Sequence, residues 1–174
     1  VYPKQHIVDR WKEFEYIELA ISLDSIIAQE NEYLRRGTKH DQILVNIKRF
    51  VELQNEINLT VIARPTITIL NVYHLPETLE WLDEKNIKHN ATHLTHPTHL
   101  SVTVLPDTAK KLISEKFDNY NFKNETTRKS CEYIKNYMMS KDDSNLLAEF
   151  KRHTEFLDNK RSEKFKDSYP YFDF

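Results

Sequence analysis

Glycine and cysteine each occur only once among the 174 residues of the chain, as Gly37 and Cys131. Loops that hold phosphate groups need several glycines close together, because side chains would keep the backbone away from the phosphate. The sequence therefore excludes a P-loop and a dinucleotide-binding fingerprint. A single cysteine cannot form a disulfide within the chain, which is typical of a reducing compartment. We therefore predict a cytoplasmic protein in which Cys131 is a buried structural thiol.

Long apolar runs and a strong charge imbalance are also missing. No apolar run approaches the roughly 20 residues of a membrane-spanning helix, and no signal peptide is visible, so we predict no membrane contact. The net charge of −2 with neutral histidines offers no electrostatic attraction for nucleic acid. The first residue is valine rather than methionine, which indicates a start that is processed or missing. With 39% hydrophobic and 30% charged residues, the composition is that of a globular domain.

The spacing of apolar residues predicts alternating strands and helices in the first part of the chain. The predicted elements are, in order, a strand at 15–23, a helix at 40–54 capped by Thr38 and Asp41, a strand at 58–70 interrupted at Pro65, a helix beginning at Pro76, and a strand at 99–106. Such alternation is typical of parallel strands covered by helices, so the predicted fold class is α/β.

After residue 106, the spacing of apolar residues predicts helices and no further strands. Amphipathic helices are predicted at 107–117, 125–139 and 143–162, and the aromatic end of the chain is predicted to be non-helical. We therefore divide the chain into an α/β part, residues 1–106, and a helical appendage, residues 107–174, that packs on it.

Polar side chains gather where the first two predicted strands end. In parallel α/β structures, ligands bind at the carboxyl ends of the strands. Carboxylates accept hydrogen bonds from hydroxyl and ammonium groups, and arginine binds carboxylates with two parallel hydrogen bonds. The candidate ligand-binding residues are Ser22, Asp24, Arg35, Arg36 and Asn71, with Ser25 beside them. The alternative is that Asp24 caps a turn and the arginines are solvated.

A second group of candidates is rich in histidine, within "KHNATHLTHPTHLS". Imidazole is a ligand for zinc, nickel and iron, but the spacing of these histidines matches no standard zinc pattern. Ordinary loop and sheet histidines are the competing interpretation, and we predict no metal site. The residues are His89, His93, His96 and His99.

An ordered set of motifs resembles the second half of a radical SAM (S-adenosylmethionine) enzyme core. The motifs are "ISLDS", "YLRRGT", "DQILVNIKRFVEL" and "ITILNVYHLPETLEWL". The later "HPTHLSVTVLPDTAKK" and "FKRHTEFLDNKRSEKFKDSYP" are similar to the C-terminal appendage of the twitch-domain members of that family. The resemblance runs from about residue 13 onward. In the tail it rests on Phe150, Thr154, Leu157, Asp158 and Arg161.

The resemblance implies a partial, TIM-like (β/α) barrel of which this chain holds about three parallel strands. It also implies that Ser22 and Asp24 face bound SAM, that Arg35 or Arg36 holds the methionine carboxylate, and that Asn71, with Thr66 and Thr68, lies near the adenosine. The departure is large, because the family binds a [4Fe–4S] cluster on a CxxxCxxC loop and this chain has one cysteine near its end.

The missing CxxxCxxC loop leads to a specific expectation about activity. The full-length protein is expected to bind SAM and the cluster and to generate a 5′-deoxyadenosyl radical that modifies a substrate not named by the sequence, a peptide being one candidate. The chain in hand is expected to bind neither group and to be inactive. The alternative is a non-enzymatic interaction or scaffold protein that has lost the cluster loop. In either case the exposed sheet edge predicts a homodimer.

Overall fold

Five short parallel strands form the β part of the protein. The structure is a computed structural model that describes residues 2–174. The strands are β1 (Ile17–Ile21), β2 (Leu59–Ala63), β3 (Thr66–Ile67), β4 (Lys88–His89) and β5 (Thr92–His93). One sheet has the order β1-β2-β4 and the other pairs β3 with β5, and every pairing is parallel. Neighbouring strands follow one another along the chain when β3 is counted with β2 and β5 is counted with β4.

The two sheets are successive parts of one pair of strands. β3 continues β2 after Arg64 and Pro65, and β5 continues β4 after Asn90 and Ala91. Backbone hydrogen bonds bridge the gap, from the Asn90 N–H to the Ala63 carbonyl at 3.0 Å and from the Thr92 N–H to the Pro65 carbonyl at 3.1 Å. The predicted interruption at Pro65 is confirmed. Proline lacks the N–H that a continuous ladder would use there.

Helices make up most of the remaining chain. They are α1 (Gln5–Trp11), α2 (Ala28–Leu34), α3 (His40–Leu53), α4 (Leu75–Glu84), α5 (Asp107–Asn119), α6 (Glu125–Met139), α7 (Leu147–Arg161) and α8 (Phe165–Ser168). Short 3₁₀ turns lie at Thr98–Leu100, Val102–Val104 and Ser144–Leu146. The α/β class is confirmed. Among residues 2–174, no helix has the length and apolarity needed to cross a bilayer.

One face of the sheet is covered, and the other is exposed along β1 but not at Ile62 of β2, which is buried. Leu23, Val61 and Leu79 are completely buried on the covered side. On β1, the side chains of Glu18 and Ala20 are exposed on the opposite face. The apolar core continues without a break into α5, α6 and α7. The boundary near residue 107 stays a prediction.

The predicted strand at 99–106 is wrong. The segment forms the two 3₁₀ turns that precede Leu105, and residues 101–105 are all buried. The Ser101 hydroxyl accepts hydrogen bonds from the N–H of Thr103, at 3.4 Å, and from its hydroxyl, at 2.9 Å. Such local bonds compete with strand pairing, although the β-branched composition favours a strand.

The predicted caps of α3 are also wrong. The Thr38 hydroxyl donates to the Arg35 carbonyl at 2.6 Å, before the helix begins. The Glu32 carboxylate instead accepts a hydrogen bond from the first N–H of the helix, that of His40, at 2.8 Å. Glu32 lies in α2, so this cap comes from the preceding helix and does not follow the local pattern of capping residues.

Candidate functional site

Asp24 lies just beyond the carboxyl end of β1 and forms an ion pair with Arg35. The distance from Asp24 Oδ2 to the Arg35 guanidinium is 2.7 Å, and the aspartate side chain is 15% exposed. Its other oxygen, Oδ1, accepts a weak hydrogen bond from the Thr66 N–H at 3.4 Å. Chain reversal after β1 makes the ion pair possible, because α2 carries Arg35 back toward the strand end. The predicted proximity of Asp24 and Arg35 is thus observed.

Asn71 ties the end of β1 to the turn after β3. It is 1% exposed, and its Nδ2 donates to the carbonyls of Asp24 and Thr66, both at 3.0 Å. Its Oδ1 accepts from the Thr68 N–H at 2.7 Å and from the Thr68 hydroxyl at 3.2 Å. Both halves of the amide are therefore engaged within the protein.

We call Asp24, Arg35 and Asn71 the strand-end cluster. The Arg35 Nε is enclosed and has no hydrogen-bond partner within the protein, whereas the Arg35 side chain as a whole is 36% exposed. Ser22 is exposed, directly after the end of β1 and two residues before Asp24. The cluster thus offers a guanidinium donor, a carboxylate and a nearby hydroxyl, which suit a ligand that carries a carboxylate, an amine and hydroxyls.

Arg36 does not join the strand-end cluster. Its guanidinium donates to the Arg161 carbonyl at 3.2 Å and lies 3.9 Å from the Glu163 carboxylate, so it contacts the end of α7. Two of the tail residues that carry the family resemblance, Asp158 and Arg161, also lie between α7 and α2. Asp158 accepts a hydrogen bond from the Tyr33 hydroxyl at 2.8 Å, and Arg161 donates to the Tyr33 carbonyl at 3.2 Å. These residues attach α7 to α2.

A fully buried carboxylate beside the cluster was missed by the sequence analysis. Glu30 of α2 is 0% exposed. Its oxygens contact the Ser25 hydroxyl at 2.6 Å, the His74 Nδ1 at 2.5 Å and the Tyr171 hydroxyl. Burial and the nearby Glu30 charge raise the pKa of Tyr171. A glutamate in a polar stretch carries no sequence signal of burial, since two of its three partners, His74 and Tyr171, lie far away along the chain.

The four candidate histidines do not converge. His89 pairs with Asp83 at 3.0 Å, His93 stacks on Tyr137 at 3.5 Å, and His99 lies 3.3 Å from Glu149. His96 is exposed. Within residues 2–174, no group of three or more histidine, cysteine, aspartate or glutamate side chains is arranged to hold a metal ion.

No protein-family model, curated protein or solved structure matches the chain. The chemistry of the side chains in the strand-end cluster is compatible with SAM, because the partly exposed Arg35 guanidinium suits a carboxylate and Asp24 can accept from an ammonium or hydroxyl group.

A [4Fe–4S] cluster does not fit this chain. Such a cluster is held by several cysteine thiolates, and the chain contains Cys131 alone. Cys131 is 1% exposed within α6, and burial raises the pKa of its thiol. A protonated, enclosed thiol is neither a nucleophile nor a ready ligand. The predicted buried thiol is confirmed.

Proposed function

We propose that the chain forms the later strands of a radical SAM partial barrel and supplies one side of its SAM pocket. The observation that supports this is the strand-end cluster, at the carboxyl ends of parallel strands that neighbour one another in chain order. A (β/α) barrel has that order, whereas a doubly wound sheet reverses it at the ligand site. The face of β1 that carries Glu18 and Ala20 would be turned toward the barrel interior.

Each residue of the cluster has a role in this proposal. Arg35 binds the methionine carboxylate of SAM through the exposed part of its guanidinium group. Asp24 accepts from the SAM amine or ribose, and Ser22 adds a nearby hydroxyl. Asn71 holds the two loops at a fixed distance and contacts the ligand through the backbone that it orients. In the complete enzyme, the [4Fe–4S] cluster would supply the electron that splits SAM into methionine and a 5′-deoxyadenosyl radical, the species that takes a hydrogen atom from a substrate.

In this proposal, the cysteine ligands of the [4Fe–4S] cluster belong to residues outside this chain. The 174-residue chain by itself is expected not to cleave SAM. A peptide is one candidate substrate.

The coding sequence upstream of Val1 provides the first test. We expect it to encode CxxxCxxC ahead of the barrel strands described here. A complete reading frame without that motif would overturn the enzymatic proposal.

A binding experiment provides the second test, in the protein that carries the motif. We expect Asp24→Ala to weaken SAM binding at least tenfold in an anaerobic calorimetric titration, about 1.4 kcal/mol. Asp118→Ala is the matched control, because that carboxylate is exposed and pairs only with Lys135 in the structure. Unchanged affinity in the Asp24 variant would remove this residue from the site.

A second candidate function is that of a non-enzymatic interaction protein. The hydrogen bonds of the strand-end cluster favour this function, because they are made within the protein and not to a ligand. The Asn71 amide bonds to backbone groups, and the Asp24 carboxylate is paired with Arg35. The absence of CxxxCxxC from the complete reading frame, together with a stable self-association, would favour this function over the first.

We also propose that the isolated chain forms a homodimer through β1. β1 pairs with β2 on one side only. A two-fold, antiparallel pairing centred on Leu19 places Ile17 opposite Ile21 of the other copy, and Glu18 opposite Ala20, so that no like charges meet. Light scattering is expected to give a dimer at micromolar concentration. A well-folded monomer would contradict the proposal.

A further inference from the structure

Glu30 connects three separate stretches of the chain through one buried carboxylate. Ser25 belongs to the loop after β1, His74 directly precedes α4, and Tyr171 belongs to the C-terminal segment. A buried carboxylate is strongly unfavourable unless hydrogen bonds and charges compensate for its lost hydration. The three partners therefore have to stay in place together.

Two of these partners adjoin the strand-end cluster. Ser25 follows Asp24 directly, and His74 lies in the same turn as Asn71. Thr78 links the same two loops a second time, because its hydroxyl accepts from the Ile26 N–H at 3.1 Å and donates to the His74 carbonyl at 2.9 Å. The position of Glu30 thus influences the distance between the loops that carry Asp24 and Asn71.

The third partner belongs to the end of the chain, residues 169–174, which we call the C-terminal strap. The Tyr171 ring stacks on the Tyr73 ring with centroids 4.1 Å apart and meets the His74 ring edge-on at 5.2 Å. Tyr169 and Phe172 of the strap are buried. The strap therefore covers the turn after β3 with aromatic rings, and the Tyr171 hydroxyl reaches through to Glu30.

We propose that Glu30 is a positioning residue that couples the C-terminal strap to the strand-end cluster. When the strap is seated, the Tyr171 hydroxyl completes the hydrogen bonding of Glu30, which then holds the Ser25 and His74 loops in register. When Tyr171 is withdrawn, the underpaired carboxylate draws water or moves, and both loops loosen. Coupling of this kind is reciprocal, so fixing the loops also favours the seated strap. The inference holds whatever ligand the cluster binds.

Hydrogen exchange in the full 174-residue chain tests the coupling. We expect Tyr171→Phe to accelerate exchange of the Ile26, Ile27 and Leu75 amides at least about fivefold, because local opening controls such exchange. Tyr133→Phe is the matched control, since that hydroxyl bonds His93 at an exposed position. Acceleration confined to residues 165–174 would overturn the proposal, and so would equal acceleration throughout α6.

Glu30→Gln provides the second half of a double-mutant cycle. Its effect on the same amides should be less than additive with that of Tyr171→Phe, because both substitutions disrupt the contact between Glu30 and Tyr171. Full additivity of the two effects would show that the strap and the loops are independent. Should Glu30→Gln fail to fold, the comparison of Tyr171→Phe with Tyr133→Phe still decides the matter.

Discussion

Replacing Asn71 with alanine tests whether the strand-end cluster is held together by one amide. The substitution removes the partners of three backbone groups, namely the carbonyls of Asp24 and Thr66 and the N–H of Thr68. A buried group left without a partner costs about 1–3 kcal/mol, and the two carbonyls, whose hydrogen bonds are only partly buried, lie at the low end of that range. The three share one site and are not fully additive, so we expect a loss of about 4 kcal/mol in the free energy of unfolding.

Urea denaturation followed by circular dichroism measures this loss. For a chain of this size, about 4 kcal/mol corresponds to a fall of roughly 8–16 °C in Tm. Asn136→Ala is the control, because Asn136 is exposed on α6, and its effect should stay within about 0.5 kcal/mol. A loss below about 1 kcal/mol for Asn71→Ala would refute the argument. It would mean that water replaces the amide at little cost.

Two further predictions concern titration and reactivity. Burial raises the pKa of Tyr33, Tyr169 and Tyr171, and raises that of Tyr120 to about 12. The folded state therefore retains protons that the unfolded state loses above about pH 10, so stability is complete below that pH and falls above it. Urea unfolding at pH 8 to 11 should show this fall, and a shallower one for Tyr171→Phe; a stability independent of pH would contradict it. The Cys131 thiol should react with a thiol-specific reagent on the order of a hundredfold more slowly in the folded protein than in urea. Equal rates would show that the α6 core opens readily.

Long periodic elements could be predicted from the sequence because their signal is repeated many times. The predicted helices at 40–54 and 125–139 agree with α3 and α6 within a residue or so. Each presents an apolar stripe over several turns, which tertiary contacts reinforce. β4 was missed because it contains only two residues, too few for any alternation to be recognised.

The site was predictable only where its residues follow strand ends. Asp24 and Asn71 could be identified because parallel strands bring their carboxyl ends to one edge. Arg35 and Arg36 are adjacent, and nothing in the sequence indicates that one contacts Asp24 while the other contacts the end of α7. Glu30 could not be identified, because the tyrosine that accompanies it is 141 positions away along the chain.

The interruption shared by β2 and β4 constrains how the length of this chain can change. Partners on both sides of the interruption stand 26 positions apart, Ile62 with Lys88 before it and Thr66 with Thr92 after it. Both strands are therefore interrupted by two residues at matching positions, and the register is the same before and after the interruption. A residue inserted beside Pro65 alone would turn every later side chain of that strand to the wrong face. A second insertion beside Asn90 would restore the pairing, so these two distant loops can lengthen or shorten only as a matched pair.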